Sequence, residues 1–269
     1  MKIYVICDLE GTAGVVDHRR QCWFDGADYP QARRLATLEL NALVEGALEG
    51  GATDILAWDG HGNFPGGLDP ELVHPACRLI TGAGDGGSVA VDSSFDAMFL
   101  LGLHAMAGAE RSVLAHSFWP GVAACWLNGV KIGEVGLNTF TFGRMGVPTV
   151  FISGDRAGAE EARALIPAIE MAVVKEGLAT TCIGEKGLEP SPAITLAPEQ
   201  ARQVIRGAAW RAMGKVGTVA PWSLEPPYTW RVQFRTEELA AQRASRTGVR
   251  RIDACTLETV AAAAPDVIL

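Results

Sequence analysis

The sequence predicts an α/β fold with a largely parallel central sheet flanked by helices, followed by a smaller C-terminal α+β region. Short runs of β-branched and apolar residues alternate with stretches of helical periodicity, the pattern that builds βαβ units. The apolar runs stop abruptly at polar or glycine-bearing turns. After Gly177 the chain becomes turn-rich and then resumes with one helical and one alternating segment.

The first strand is expected over Lys2 to Cys7, a β-branched run that ends at Asp8. From Gln31 to Glu49, Ala32, Leu35, Ala36, Leu40, Leu43 and Ala47 recur at helical spacing, and Gly50-Gly51 supplies the stop. Further strands are expected at Asp54 to Trp58, Ala97 to Leu101 and Thr149 to Ser153. Cys125 to Leu127 and Val130 to Ile132 flank Asn128-Gly129, the residue pair favoured in a type I′ hairpin turn. Asp155 fits an N-cap, with a helix expected to run to about Lys175. A proline-bearing connector follows, then a helix from Pro198 to near Gly214 and a strand over Thr229 to Phe234. These elements divide the chain into a catalytic α/β region, 1–178, and the smaller C-terminal region, 179–269.

Composition narrows the function. The net charge is −8, from 23 basic and 31 acidic residues, which argues against nucleic acid or an anionic membrane as partner. No apolar run reaches the roughly 20 residues of a membrane span, and the N-terminus lacks the pattern of a signal peptide. The six cysteines form no CxxC pair, which fits reduced thiols and a cytoplasmic location better than a disulfide or zinc-thiolate framework.

In open α/β sheets ligands bind beyond the carboxyl ends of the strands, so the residues there carry the most information. Asp8 and Glu10 stand two apart after the first strand, a spacing that lets both face one side. Of only five histidines, His61, His104 and His116 fall in turns expected to follow strands. Glu134 comes just after the hairpin. Each has a structural alternative when taken singly: a strand-end aspartate can cap a turn, and a histidine can be a satisfied core residue. As a set they make a mixed carboxylate and imidazole site, which suits Zn²⁺, Mn²⁺ or Co²⁺ and has donors enough for two ions. His18 and His74 are read as loop residues without a site role.

Two family resemblances follow from these motifs. "IYVICDLEGT" resembles the first motif of the haloacid-dehalogenase-like phosphatases, which implies Asp8 as phosphoryl-accepting nucleophile with Mg²⁺ alongside. Glu10 in place of a second aspartate, and "SGDRAGAE" with only one of the two acids expected there, depart from that pattern.

The second resemblance covers the chain to about Lys175. "DLEG" at Asp8, "DGHG" at Asp59, "LGLHAMAG" at Leu101, "LAHSF" at Leu114 and "LNGVKIGEVGLN" at Leu127 resemble, in order, the motifs of the D-aminopeptidase family, dinuclear zinc peptidases associated with bacterial dipeptide-transport operons. Ile6 and Gly60 stand where that family usually carries serine. The resemblance implies Asp8, Glu10, His61, His104 and Glu134 as ligands of two zinc ions per subunit, with Asp8 the bridge and His116 the catalytic histidine. It also implies short peptides with an N-terminal D-residue such as D-Ala as substrates, and a homo-oligomer in the form of a ring-shaped decamer. Asp59 is a candidate to orient a metal histidine, while Asn138 and Lys175 are candidates for contacts behind the metals or with substrate. A metal- or peptide-binding protein without turnover is the remaining alternative, against which a non-ligand His116 argues.

Overall fold

The computed structural model describes residues 1–62, 65–82, 88–185 and 187–262. In chain order the first half consists of β1 (Lys2–Cys7), the short α1 (His18–Gln21), α2 (Tyr29–Glu49), β2 (Asp54–Asp59), β3 (Cys77–Ile80) and β4 (Ala97–Leu103). Then come β5 (Val122–Leu127), β6 (Val130–Ile132), α3 (Glu134–Gly143), β7 (Thr149–Asp155), α4 (Arg156–Leu165) and β8 (Glu170–Gly177). The remainder comprises β9 (Ile183–Gly184), β10 (Gly187–Leu188), β11 (Ala193–Thr195), α5 (Pro198–Met213), β12 (Tyr228–Phe234), α6 (Glu237–Ala244), β13 (Arg250–Arg251) and β14 (Thr256–Ala261).

A seven-stranded sheet runs in the order β11-β8-β7-β4-β1-β2-β3, parallel except for β11. β1 and β4 lie at its centre and are buried almost throughout, which is why both read as continuous apolar runs rather than alternating ones. α2 enters with Pro30 in its first turn, where a missing N–H costs nothing, and buries Ala32, Ala36, Leu40, Leu43 and Ala47. Because β2, β1, β4 and β7 are parallel neighbours, the residues after their carboxyl ends share one edge of the sheet. That edge holds the site.

A second, five-stranded antiparallel sheet has the order β13-β14-β12-β5-β6 and its own apolar core around Trp230, Phe140, Phe234 and Val232. The β5–β6 hairpin turns at Asn128 (φ 48°) and Gly129 (φ 81°), as a type I′ pair requires. Segments on both sides of residue 178 contribute to both sheets: β11 pairs with β8 and α5 packs on α2, while the hairpin pairs with β12. No helix among the described residues is long and apolar enough to cross a membrane.

One expected element is corrected. The helix capped by Asp155 ends at Leu165, and residues 170–177 form β8 instead of its continuation. Pro167 cannot continue the hydrogen-bond ladder, and the stretch beyond it, Met171-Ala172-Val173-Val174, suits a strand paired with β7. The apolar spacing through Ile169 and Val173 fits a helical template by coincidence. The consequence is large, because it turns Lys175 from a helix-end residue into one that points into the protein.

All six cysteines are free thiols, and Cys7, Cys22, Cys77 and Cys125 are buried. Glu39 on α2 supports the turn after β1: its Oε1 accepts from the Ala13 N–H at 2.9 Å, while Oε2 is buried with no hydrogen-bond partner among the described residues. Burial pushes this carboxyl up to about 7, against the pull of the Ala13 N–H and Lys175. A folded-state value above the unfolded one gives a stabilising contribution that is full below the unfolded pKa and is lost as the pH rises through 7. Glu39→Gln should therefore shrink the fall in stability between pH 4.5 and pH 8 by about 3 kcal/mol relative to the parent protein. Urea unfolding of both proteins at the two pH values measures this, and an equal pH dependence would refute it.

Candidate metal centre

Asp8 and Glu10 are delivered by the sharp departure of the chain from β1. The Asp8 N–H donates to the Leu101 carbonyl at 2.9 Å and the Gly11 N–H to the Gly102 carbonyl at 2.7 Å, so the turn folds directly against the end of β4. A Cβ at Gly102, which has φ +71°, would lie 2.3 Å from the Asp8 carbonyl oxygen, and one at Gly11 would lie 2.2 Å from that of Leu103. Only glycine permits this approach, which sets both carboxylates beside His104.

The turn is anchored from below by Lys175. Its buried Nζ donates to the backbone carbonyls of Glu10, Thr12 and Val15. Burial lowers the amine to about 8, with Asp155, Cys22, Glu39 and Glu10 pulling it upward. Lys175 is thus a backbone anchor rather than a substrate contact, and Asn138 sits on α3 facing Ser88.

Asp8, Glu10, His61, His104, Glu134 and His116, all expected in the site, are brought together. His61 Nδ1 lies 3.2 Å from Asp8 Oδ1 and 3.1 Å from Glu10 Oε2. His104 Nε2 lies 3.5 Å from Asp8 Oδ2 and 3.6 Å from Glu134 Oε1, and His116 Nε2 lies 3.8 Å from Glu134 Oε1. The His104 and His116 rings are stacked, 4.0 Å apart at 13°. Ligand atoms of Asp8, Glu10 and His104 lie within 4.8 Å of one another, as do those of His104, His116 and Glu134.

The second nitrogen of each ring settles its tautomer. His61 Nε2 meets the Cys22 carbonyl at 2.7 Å, His104 Nδ1 the Ala105 carbonyl at 3.0 Å, and His116 Nδ1 the Leu114 carbonyl at 2.9 Å. A carbonyl only accepts, so each of these nitrogens carries the proton. In the neutral ring the opposite nitrogen then turns a lone pair toward carboxylate oxygens, an arrangement that repels unless a cation or proton lies between. His104 Nε2 and Glu10 Oε2 are both buried without a hydrogen-bond partner among the described residues. Nitrogen and oxygen donors left unpaired and facing each other fit zinc or a similar ion.

Electrostatics report the same strain. Burial would lower the His61 pKa, but the Glu10 and Asp8 carboxylates raise it well above the usual imidazole value. Glu10 is driven up by burial and pulled well below the carboxylate range by His61 and His18. Burial raises Glu134 to about 7 against the attraction of His116. His116 is lowered by burial and by His104, which keeps it neutral and able to accept a proton.

Three placements differ from expectation. Asp59 does not orient His61; its carboxylate accepts from the Gly67 and Leu68 N–H groups at 2.8 and 3.1 Å and so holds the loop that carries His61. His116 follows no strand but lies in an irregular segment, held by bonds from Val113 N to Asp155 Oδ2 and from Ala115 N to Thr181 Oγ1. His18, read as a loop residue, is buried with Nε2 3.5 Å from Glu10 Oε1. His74 does serve a turn, accepting from the Ala76 N–H.

Sequence reasoning also missed Glu161, whose two oxygens accept from Met106 N and Gly133 N at 2.9 and 3.2 Å. It ties the segment after His104 to the start of α3, where Glu134 is the first residue. Nothing in the spacing of "GAEEA" marks it apart from an ordinary helix glutamate.

A family model described as D-aminopeptidase matches residues 1–268. A D-aminopeptidase of Bacillus subtilis (strain 168) is 32% identical over 204 residues, 74% of this chain and 72% of that protein. The solved structure described as the Zn-dependent D-aminopeptidase DppA from Bacillus subtilis, a self-compartmentalizing protease, superposes with a TM-score of 0.86 at 26% identity, covering 97% of this chain and 92% of the other.

Lys175→Met would leave three buried carbonyls without their donor, at a cost of about 3 kcal/mol or more. The variant should unfold at lower urea and lose zinc on dialysis under conditions in which the parent protein retains it. Parent-like stability and zinc content together would show that the ammonium does not hold the turn.

Proposed function

The chain belongs to the D-aminopeptidase family, and from that premise we propose that it removes an N-terminal D-residue, D-alanine foremost, from short peptides in the cytoplasm. It is a zinc metallopeptidase. The proposed centre holds two zinc ions through Asp8, Glu10, His61, His104 and Glu134. The observation that carries this is the set of imidazole lone pairs, each fixed by a backbone carbonyl, directed at three carboxylates. Asp8 is suited to bridge, since Oδ1 faces His61 and Oδ2 faces His104. The phosphatase reading is not favoured, because imidazoles flank both oxygens of the supposed nucleophile.

When bound, zinc supplies Lewis acidity, polarising the scissile carbonyl and bringing the pKa of the attacking water toward about 7. His116 does the proton work. Its Nε2 is the unprotonated nitrogen, takes a proton from the attacking water and passes it to the departing amine. The Leu114 carbonyl prevents the ring from flipping its proton to the wrong side, and the Glu134 carboxylate 3.8 Å away stabilises the imidazolium formed in between.

The same reading extends to assembly. The solved relative is described as self-compartmentalizing, and this chain exposes the large apolar side chains Leu178, Ile194, Trp210 and Val260. That description of the relative supports an oligomer, with a ring-shaped decamer the form we propose. Sedimentation velocity measures it directly, and a monomer at micromolar concentration would exclude it.

Zinc-loaded protein should release p-nitroaniline from D-alanine p-nitroanilide, should lose that activity on chelation, and should leave the L-isomer largely untouched. Preference for the L-substrate would overturn the stereochemical assignment. His116→Ala should keep about two zinc ions per chain by metal analysis while kcat falls about 10²- to 10⁴-fold. A folded variant that sheds metal would instead make His116 a ligand.

A further inference from the structure

Six residues of the site follow from the motifs; His18 does not. We infer that His18 is a positioning residue of the metal centre, holding Oε1 of Glu10 so that Oε2 alone is offered to the metal. This rests on the metal-centre reading above and adds to it how one ligand is aimed.

The starting point is Trp23. Its indole Nε1–H can only donate, and it lies 3.1 Å from Nδ1 of His18. Nδ1 must therefore carry the lone pair, and the proton of the neutral ring resides on Nε2. That N–H faces Glu10 Oε1 at 3.5 Å. The tautomer is the reverse of the one His104 and His116 adopt, in which Nδ1 bears the proton and Nε2 faces the site. While the indole is engaged, His18 has no lone pair to give a metal and turns its N–H toward the ligand instead.

The two oxygens of Glu10 are thereby made unequal. Oε1 is the one beside the His18 donor, whereas Oε2 is buried, has no hydrogen-bond partner among the described residues and lies 3.1 Å from His61 Nδ1. A carboxylate whose far oxygen is held by a donor binds a cation through the near one, with its direction fixed before the metal arrives.

The segment that carries His18 is built to hold still. Asp17 caps α1 by accepting from the Arg20 N–H at 3.0 Å, and Gln21 Oε1 accepts from the Val16 and Asp17 N–H groups at 2.8 and 2.9 Å. The same segment supplies the Cys22 carbonyl that fixes the tautomer of His61. Residues 17–23 therefore orient two ligands from behind, one through a carbonyl and one through an imidazole.

The test uses full-length protein loaded with cobalt(II), read by chelator competition and by its visible absorption. His18→Ala should weaken one of the two metals about 10- to 100-fold and alter the cobalt spectrum. His18→Gln, whose amide offers an acceptor to Trp23 and a donor to Glu10, should restore most of the affinity and the parent spectrum. Trp23→Phe, at a partly exposed position, should reproduce a smaller part of the loss with folding intact by circular dichroism, and it carries the test if His18→Ala does not fold. Parent-like cobalt affinity and spectrum in His18→Ala, or in Trp23→Phe where only that variant folds, would overturn the role, as would a His18→Gln protein no better than His18→Ala. Parent protein that takes up no cobalt would overturn the metal centre itself, and this inference with it.

Discussion

Everything at the carboxyl edge of the main sheet depends on one electrostatic constraint: three carboxylates, of which Glu10 is fully buried, and three buried imidazoles are packed so closely that their acceptor atoms face each other. Asp8 and Glu10 present oxygens within 4.8 Å of one another. Two full negative charges at that distance repel by about 3–4 kcal/mol at an effective dielectric of about 20, and Glu134 adds to the sum. The imidazoles do not relieve this while neutral, because backbone carbonyls on their far side fix lone pairs toward the acids. A divalent cation would turn each of these repulsions into an attraction. Without one, His61 is driven to hold a proton and Glu134 moves toward its neutral form.

Such a cluster persists only if the backbone around it is over-determined, and the buried polar groups outside the site have that task. Lys175 crosses from β8 to collect three carbonyls of the turn after β1. Glu161 joins the segment beyond His104 to the N-terminus of α3, Asp59 closes the loop of His61, and Asp155 holds the segment of His116. Each anchor bonds to main chain rather than to the side chains of the site. The clustered side chains thus keep their positions without being engaged by these anchors. The antiparallel sheet serves the same end, since its β5–β6 hairpin sets where α3 begins and hence where Glu134 points.

The clustered residues were legible in the sequence because chemistry concentrates them: few residue types make such a cluster, and strand ends are where an α/β sheet uses them. Their supports were not. Lys175 was hidden by a helical apolar spacing that Pro167 in fact interrupts, so a buried cation read as a helix-end residue. His18 sits among charged and polar neighbours, a solvated context by composition. It is buried only because the chain returns past Glu10 before entering α2, a tertiary event that local pattern does not encode. Asp59 shows the converse, where adjacency to His61 suggested a contact but its carboxylate turns to the loop's own N–H groups. Periodicity reports which face is buried; it is silent on which backbone groups lie there needing a partner.

His104 and His116 show how position alone can divide labour between like groups. Their rings are nearly parallel, 4.0 Å apart, and carry the same tautomer, each with Nδ1–H on a nearby carbonyl and Nε2 facing inward. The tautomer therefore does not set the two rings apart. What differs is the acids in front of them: Nε2 of His104 is between Asp8 and Glu134, at 3.5 and 3.6 Å, whereas Nε2 of His116 approaches only Glu134, at 3.8 Å. A cation balanced by two carboxylates would be held at the first nitrogen more firmly than at the second. A cation beside His104 would in turn disfavour protonation of the stacked ring in the resting site, adding to the depression that burial already imposes. In the proposed mechanism His116 is thereby kept as a proton acceptor until the reaction itself supplies the proton, with the Glu134 carboxylate at hand to stabilise the charge that results.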